Sequence, residues 1–318
     1  MTTNPLPETA SPLYPFLDRS IDPGYETARV VVLPVPYEAT TTYVKGCQHG
    51  PAALLEASDQ LEYYDVELGS ETGYAIGVHT VAPIADTRSG ELDDQEAIEA
   101  IAARVCQLQQ DGKFVVTIGG EHSITGGVVA GYRRALGEEP FTVVQIDAHG
   151  DLRDVYEGSR YNHACVMRRV LDLGVSIVPI GIRSICQEEA DLIRDRQLPV
   201  FWAHDIAADR HPVNPNHSTW IERVIAAIPT KKVFLTIDLD GLDATVIPGV
   251  GTPQPGGLDW YETLTFMRRL FESHTVIGMD VMELCPLPGL VISEFAAAKL
   301  VYRAIGYQAK AQGWLSSR

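Results

Sequence analysis

Short apolar runs bounded by polar or glycine-rich turns recur along this chain, and longer stretches with helical periodicity lie between them. Runs at 29–35, 113–118, 141–146, 175–182, 199–202, 232–237 and 275–281 read as strands, the first bounded by Pro34 and Pro36. Helices are expected at about 50–61, 93–110, 123–136, 164–173, 187–196, 217–228, 258–273 and 293–312. Pro51 suits a first helical position after Gly50, and Gly112 closes the helix over 93–110. Regular strand–helix alternation predicts an α/β fold, a parallel sheet covered by helices on both faces. Ligands of such sheets gather beyond the carboxyl ends of the strands, beside a switch in strand order. Residues 1–27, rich in proline and polar groups, read as an N-terminal arm, and 28–318 as one domain without internal repeats.

Three of these strands end in residues that bind metals. The run at 141–146 leads into Asp147-Ala148-His149-Gly150-Asp151, and the run at 232–237 into Asp238-Leu239-Asp240. Side chains alternate along extended chain, so Asp147, His149 and Asp151 are expected on one side, and Asp238 with Asp240 on one side of theirs. The run at 113–118 ends in Gly119-Gly120-Glu121-His122-Ser123 and adds a second imidazole. An aspartate beside a core needs a partner, because an unpaired buried charge is costly. No lysine or arginine stands within either aspartate run. Divalent cations fill that role, and a set of this size suits two ions better than one. Carboxylate mixed with imidazole suits manganese, iron, nickel or zinc, while the lack of thiolate argues against a structural zinc site. The competing reading, that each aspartate only caps a turn, would fit one such run better than three clusters together.

Composition narrows the partners. At 318 residues, 45% hydrophobic and 21% charged, the chain has the makeup of a soluble globular protein. A formal charge of −17 disfavours nucleic acid and anionic membranes and favours a small cationic ligand. Five cysteines, odd in number and without a Cys-x-x-Cys pair, fit a reducing compartment. The first residues carry no basic segment followed by an apolar run, and no apolar stretch reaches membrane-spanning length. A cytoplasmic protein is expected.

In their order along the chain, the runs at 119–123, 147–151 and 238–243 resemble the signatures of the ureohydrolase family. Its members, arginases, agmatinases and their relatives, hydrolyse guanidino groups to urea. The resemblance extends from about Val35 to the C-terminus, and Gly251-Thr252-Pro253-Gln254-Pro255-Gly256-Gly257 is similar to the family's glycine–proline loop. It implies a three-layer α/β/α sandwich and two manganese ions, with nickel or another divalent metal found among relatives. Carried over, one ion takes His122, Asp147, Asp151 and Asp238, and the other Asp147, His149, Asp238 and Asp240. A bridging hydroxide would then attack the guanidinium carbon. His163, in Tyr161-Asn162-His163-Ala164, matches the family's proton shuttle, and Glu283 its guanidinium anchor. The plainer alternatives are a loop histidine bonded to backbone and a helix-capping or surface glutamate. Relatives are homo-oligomers, trimers or hexamers.

Substrate choice follows from smaller features. The stretch around Arg183 resembles the agmatinase form, with Ser184-Ile185-Cys186-Gln187 where arginases carry acids for an α-amino group. The segment from Tyr37 to Thr42, with Lys45-Gly46 and Gly50-Pro51, is similar to agmatinases as well. Agmatine, cleaved to putrescine and urea, is therefore the expected substrate. Guanidinobutyrate, guanidinopropionate, guanidine and formiminoglutamate are the alternatives, together with a metal-binding relative that has lost turnover. Ala244 replaces the family's usual proline, and 246–250 also departs from the agmatinase pattern, which is expected to shift specificity without touching a ligand. A zinc deacylase on a related fold would need adjacent histidines, and the chain has none. Cys165 and Cys186 are expected to be packing residues.

Overall fold

The computed structural model describes residues 14–90, 92–210 and 219–315. Its strands, in chain order, are β1 (Val30–Val35), β2 (Tyr64–Asp65), β3 (Ser70–Glu71), β4 (Val78–Thr80), β5 (Phe114–Gly119), β6 (Phe141–Ile146), β7 (Ser176–Ile182), β8 (Phe201–Trp202), β9 (Lys232–Asp238) and β10 (Thr275–Met282). β2 and β3 form a small antiparallel ladder. The remaining strands make one parallel sheet in the order β4-β1-β5-β10-β9-β6-β7-β8.

The continuous apolar runs are explained by burial on both faces. Val30, Val32, Val116, Val144 and Leu235 enter one core, while Val31, Leu33, Val115, Val143 and Phe234, their chain neighbours, enter the other. The helices Asp94–Gln110 and Thr125–Leu136 close the second core through Ile101, Val105, Val128 and Tyr132. Gly50–Ser58, Trp260–Ser273 and Ile292–Ala311 close the first through Leu54, Phe266 and Leu300. The result is the three-layer α/β/α sandwich. Burying each valine or leucine contributes roughly 1.5–3 kcal/mol before conformational entropy is counted.

Strand order fixes where chemistry can occur. β5 and β6 follow one another with only a helical crossover between them, yet two strands separate them in the sheet. β9 and β10, made much later in the chain, fill that interval. The carboxyl ends of β5, β10, β9 and β6 therefore lie side by side at the switch point, where open α/β sheets bind ligands.

The expected elements mostly match. The helix expected over 93–110 is Asp94–Gln110, with the Asp93 carboxylate accepting from the N–H groups of Gln95 and Glu96. The helix expected over 50–61 stops at Ser58. Pro34 lies inside β1 at no cost to the ladder. Its carbonyl faces the β4 side, where β4 has already ended at Thr80, and it accepts from Ile84 N–H instead. The start of the helix expected from His217 lies outside the described residues; from Trp220 it runs to Ala227, capped by Thr219. Of the expected arm, 1–13 also lie outside them, while Phe16, Leu17 and Ile21 are buried against the first core. β4, the β2–β3 ladder, and the helices Thr72–Ile76 and Ala203–Asp209 had no counterpart in the sequence reading. Each is seven residues or fewer, too short for periodicity to declare itself.

Candidate metal centre and its cleft

Each ligand run is shaped by the backbone that follows its strand. After β5 the chain passes so close to the β1 exit that a Cβ on Gly120 would stand 2.0 Å from the Tyr37 carbonyl oxygen. His122 then opens a 3-10 turn, His122–Ile124. After β6 the chain does not stay regularly extended. His149 bridges to Ser184, and Asp151 is left-handed at φ 54°. Alternation is therefore not what gathers Asp147, His149 and Asp151, as the sequence suggested; a turned loop with a left-handed aspartate gathers them. After β9 the Asp238 carboxylate accepts from Asp240 N–H at 2.9 Å, which closes a 3-10 turn and swings Asp240 inward.

The six side chains converge. His122 Nδ1 lies 3.1 Å from Asp147 Oδ2, 3.1 Å from Asp151 Oδ2 and 3.3 Å from Asp238 Oδ2. His149 Nδ1 lies 3.0 Å from Asp240 Oδ2 and 3.7 Å from Asp147 Oδ1. Two ligand groups result, His122–Asp147–Asp151 and Asp147–His149–Asp240, and they share Asp147. All but His149 are buried.

The donor set fits divalent cations. His122 Nε2 meets Thr236 Oγ1 at 2.9 Å, and Asp280, opposite Thr236 in the β9–β10 ladder, accepts from Thr125 Oγ1 at 2.8 Å. Thr236 Oγ1 accepts from Nε2–H in the tautomer that a metal at Nδ1 requires. Nδ1 is thus left as a lone pair facing three carboxylate oxygens, a buried atom without a hydrogen-bond partner. Burial, then the nearby Asp147 carboxylate, push Asp151 up to about 7. Burial, then Asp240 and Asp147, push Asp238 well above the usual carboxylate range. Acids crowded in this way are stabilised in their charged form by cations held between them. Gln145 Nε2 donates to Asp147 Oδ2 at 2.8 Å, and Ala148 N–H donates to Asp240 Oδ1 at 3.1 Å, so the ligands are oriented from behind.

Arg183 locks this floor without touching a ligand carboxylate. Its guanidinium donates to the carbonyls of Asp240 at 2.6 Å, Gln254 at 2.8 Å, Gly181 at 3.0 Å and Pro255 at 3.0 Å. The β7 exit, the third ligand run and the glycine–proline loop are tied together through it. Arg183→Lys keeps the charge and loses the planar fork. It is expected to cost about 2–3 kcal/mol, the net loss of two hydrogen bonds with carbonyls left unpaired, and denaturant melts measure this.

The walls carry the two remaining candidates. Glu283 follows β10 with φ 66°, is 9% exposed, and donates its own N–H to Gly120 O. Its Oε1 accepts from His122 N–H at 2.6 Å, and Oε2 lies toward Gly251 across the cleft. It is thus not a surface residue: one oxygen caps the first N–H of the His122 turn and the other faces the cleft. Burial, then the neighbouring Glu121, push it up to about 8. His163 opens the turn His163–Cys165 and meets Thr40 Oγ1 through Nδ1 at 3.1 Å. Burial holds its imidazole below the ordinary histidine range. Above them the cleft is walled by Tyr43, Arg153, Tyr156, Ser184, Ile185 and Thr252, with the Arg153 guanidinium 4.3 Å over the Tyr156 ring. Neither Cys165 nor Cys186 is among the residues lining the cleft.

Sequence reasoning passed over Asp280, Thr236, Glu121, Arg153 and Tyr156. Asp280 had a signal, an acid inside the apolar run of β10 that needed a buried partner. The others sit in loops or in polar positions that carry no such mark.

Comparison with known proteins agrees with this geometry. The model described as the arginase family matches residues 28–306. The chain is 56% identical over 298 residues to an N(1)-aminopropylagmatine ureohydrolase of Synechocystis sp., covering 93% of this chain and 94% of that one. It is 37% identical to the protein of the same name from Thermus thermophilus, covering 93% and 95%. Among solved structures, the agmatine ureohydrolase of Thermoplasma volcanium superposes with a TM-score of 0.81 at 31% identity, covering 95% and 96%.

Proposed function

This chain belongs to the arginase family, and from that premise we propose that it hydrolyses N(1)-aminopropylagmatine to urea and the aminopropyl derivative of putrescine. It is a ureohydrolase, an enzyme acting on linear amidines. The observation that carries the chemistry is the cleft itself, with a floor of four carboxylates and two imidazoles, a buried glutamate on one wall and an imidazole on another. The choice of substrate rests on the relatives at 56% and 37% identity, whose names specify that compound. Agmatine, expected from the sequence alone, becomes the second reading, favoured by the likeness to the Thermoplasma enzyme.

His122, Asp147, Asp151 and Asp238 would hold one divalent ion, and Asp147, His149, Asp238 and Asp240 the other, manganese first and nickel second. Bound there, the pair supplies hydroxide near neutral pH and Lewis acidity. The protein does the rest. Glu283, whose raised carboxyl a guanidinium cation beside it brings into the charged form, holds His122 N–H through Oε1 and accepts N–H bonds from the guanidinium through Oε2, setting its plane. His163, neutral at pH 7, takes up a proton at Nε2 and delivers it to the nitrogen that leaves as the C–N bond breaks. Ser184 and Ile185 line the wall where an α-amino group would need an acid, which suits a substrate without one. The cationic tail extends past Tyr43, whose ring can stabilise an ammonium group, and away from Arg153, whose guanidinium already covers the Tyr156 ring. The charge of −17 attracts such a polycation from a distance.

Unpaired cysteines support a reducing, cytoplasmic setting. Exposed Leu290, Val291, Ile292 and Phe295 support association into a homo-oligomer. No helix among the described residues is long and apolar enough to cross a membrane.

Urea release should be measured with manganese- and nickel-loaded protein on N(1)-aminopropylagmatine, agmatine, arginine and guanidinobutyrate. The expected result is a kcat/KM for the aminopropyl compound at least about 10-fold above that for agmatine, equivalent to about 1.4 kcal/mol of extra transition-state binding. Equal or better turnover of agmatine overturns the substrate assignment and leaves the reaction class in place.

A further inference from the structure

We infer that Thr40, held by Glu121, is a positioning residue that fixes His163 in one tautomer, with the proton on Nδ1 and a bare Nε2 toward the cleft. The inference rests on the reading of His163 as the proton carrier, and it concerns residues outside the ligand set.

The argument is a count of donors. Glu121 is fully buried and receives four of them. Oε2 accepts from the N–H groups of Ala39 and Thr40, each at 2.7 Å, and neither of those donors can be reversed. Oε1 accepts from the hydroxyls of Thr40, at 2.7 Å, and Ser123. Four donors on one carboxyl favour its ionised form, and Thr40 then commits its one hydroxyl proton to Glu121. Every other contact of Thr40 Oγ1 must therefore be one in which it accepts. There are two, both from His163: its backbone N–H at 3.1 Å and its Nδ1 at 3.1 Å. Nδ1 must carry a hydrogen. Because a neutral imidazole has only one N–H, Nε2 is left as the base.

This geometry also explains why the two loops meet. Thr40 precedes the Thr41–Val44 wall of the cleft, and its hydroxyl clamps that wall to the His163 turn across 123 positions of sequence. With the opposite tautomer, Nε2–H would face the reacting atoms and have nothing to take up. The imidazole would then have to rotate or exchange its proton with solvent before each turnover.

The test compares Thr40→Val, Thr40→Ser, His163→Asn and the double variant Thr40→Val/His163→Asn, each with bound metal and melting temperature measured. Thr40→Val is expected to lower kcat by about 10- to 100-fold with KM within about 3-fold, and to shift the acid limb of the kcat–pH profile. Thr40→Ser should recover most of that loss. In the His163→Asn background, Thr40→Val should add less than about 2-fold, because the residue acts only through the imidazole. An unchanged Thr40→Val enzyme beside an impaired His163→Asn enzyme overturns the inference and leaves the His163 reading intact. A Thr40→Val loss that is the same in both backgrounds also overturns it, as a merely structural effect. A fully active His163→Asn enzyme overturns the underlying reading itself.

Discussion

Asp238→Asn is expected to reduce urea release by at least about 10³-fold and to abolish the rise in melting temperature that added manganese gives the parent protein. The variant is chosen because its structural cost is small. Asp238 Oδ1 accepts from Asp240 N–H, and the asparagine oxygen can keep that bond and with it the 3-10 turn. The change falls on Oδ2, which stands 3.3 Å from His122 Nδ1 in the ligand cluster. There an amide nitrogen offers hydrogens where a cation needs a lone pair. One buried negative charge disappears from a set whose charge balance depends on it. In the parent, a metal at 100 times its dissociation constant stabilises the fold by about 2.7 kcal/mol, which thermal melts resolve easily. Metal-free Asp238→Asn should melt at or above the metal-free parent, since crowding among the acids is relieved. Retained metal content with retained activity would remove Asp238 from the proposed ligand set.

The second large effect is expected at Glu283. Glu283→Gln should lower kcat/KM by about 100-fold or more while leaving metal content and melting temperature close to those of the parent. Charge-assisted hydrogen bonds are worth about 1.5–3 kcal/mol each, and the substitution weakens those made to the guanidinium. The glutamine oxygen can still accept from His122 N–H, so the 2.6 Å contact that braces the floor persists. Loss of activity with intact metal binding would thus separate substrate anchoring from metal support. A fall in metal content would show instead that the carboxylate acts mainly through His122.

Much of this architecture was legible because burial on both faces of a sheet leaves a plain mark, an uninterrupted apolar run such as Phe141–Ile146. The candidate ligand residues stood out for a related reason, since acids at the end of such a run have to be paired with something. What the pattern could not convey was the path between ligands. No glycine marks the left-handed turns at Asp151 and Glu283; aspartate enters that region readily, whereas glutamate does not, and the strain at Glu283 is sustained by the surrounding hydrogen bonds. Glu283 N–H to Gly120 O is one of these, and it joins positions far apart in the chain. The Thr40–Glu121–His163 chain is equally non-local. No periodicity links residue 40 with 163, and a threonine in a polar loop looks like any other. The short elements at 72–80 and 203–209 were missed for want of length. The upper part of the cleft was not legible because loop residues such as Tyr43, Arg153 and Tyr156 form it, and loops follow local sequence rather than a repeating pattern.

The placement of β9 and β10 between β5 and β6 bears on how the molecule comes into being. As synthesis proceeds, the first half of the chain presents β5 and β6 before the strands that belong between them exist. Until residue 282 has left the ribosome, those two segments have exposed edges that must not pair with each other or with another nascent chain. The acids at 147 and 151 meanwhile lack the Asp238 and Asp240 side of their cluster. Native pairing must wait for β9, from 232, to reach β6, which ends at 146, and for β10, from 275, to reach β5, which ends at 119, so assembly is dominated by distant contacts and arrives late and cooperatively. Nascent chains of this design hold unpaired strand edges until the last of these strands is made, and such edges are where aggregation starts.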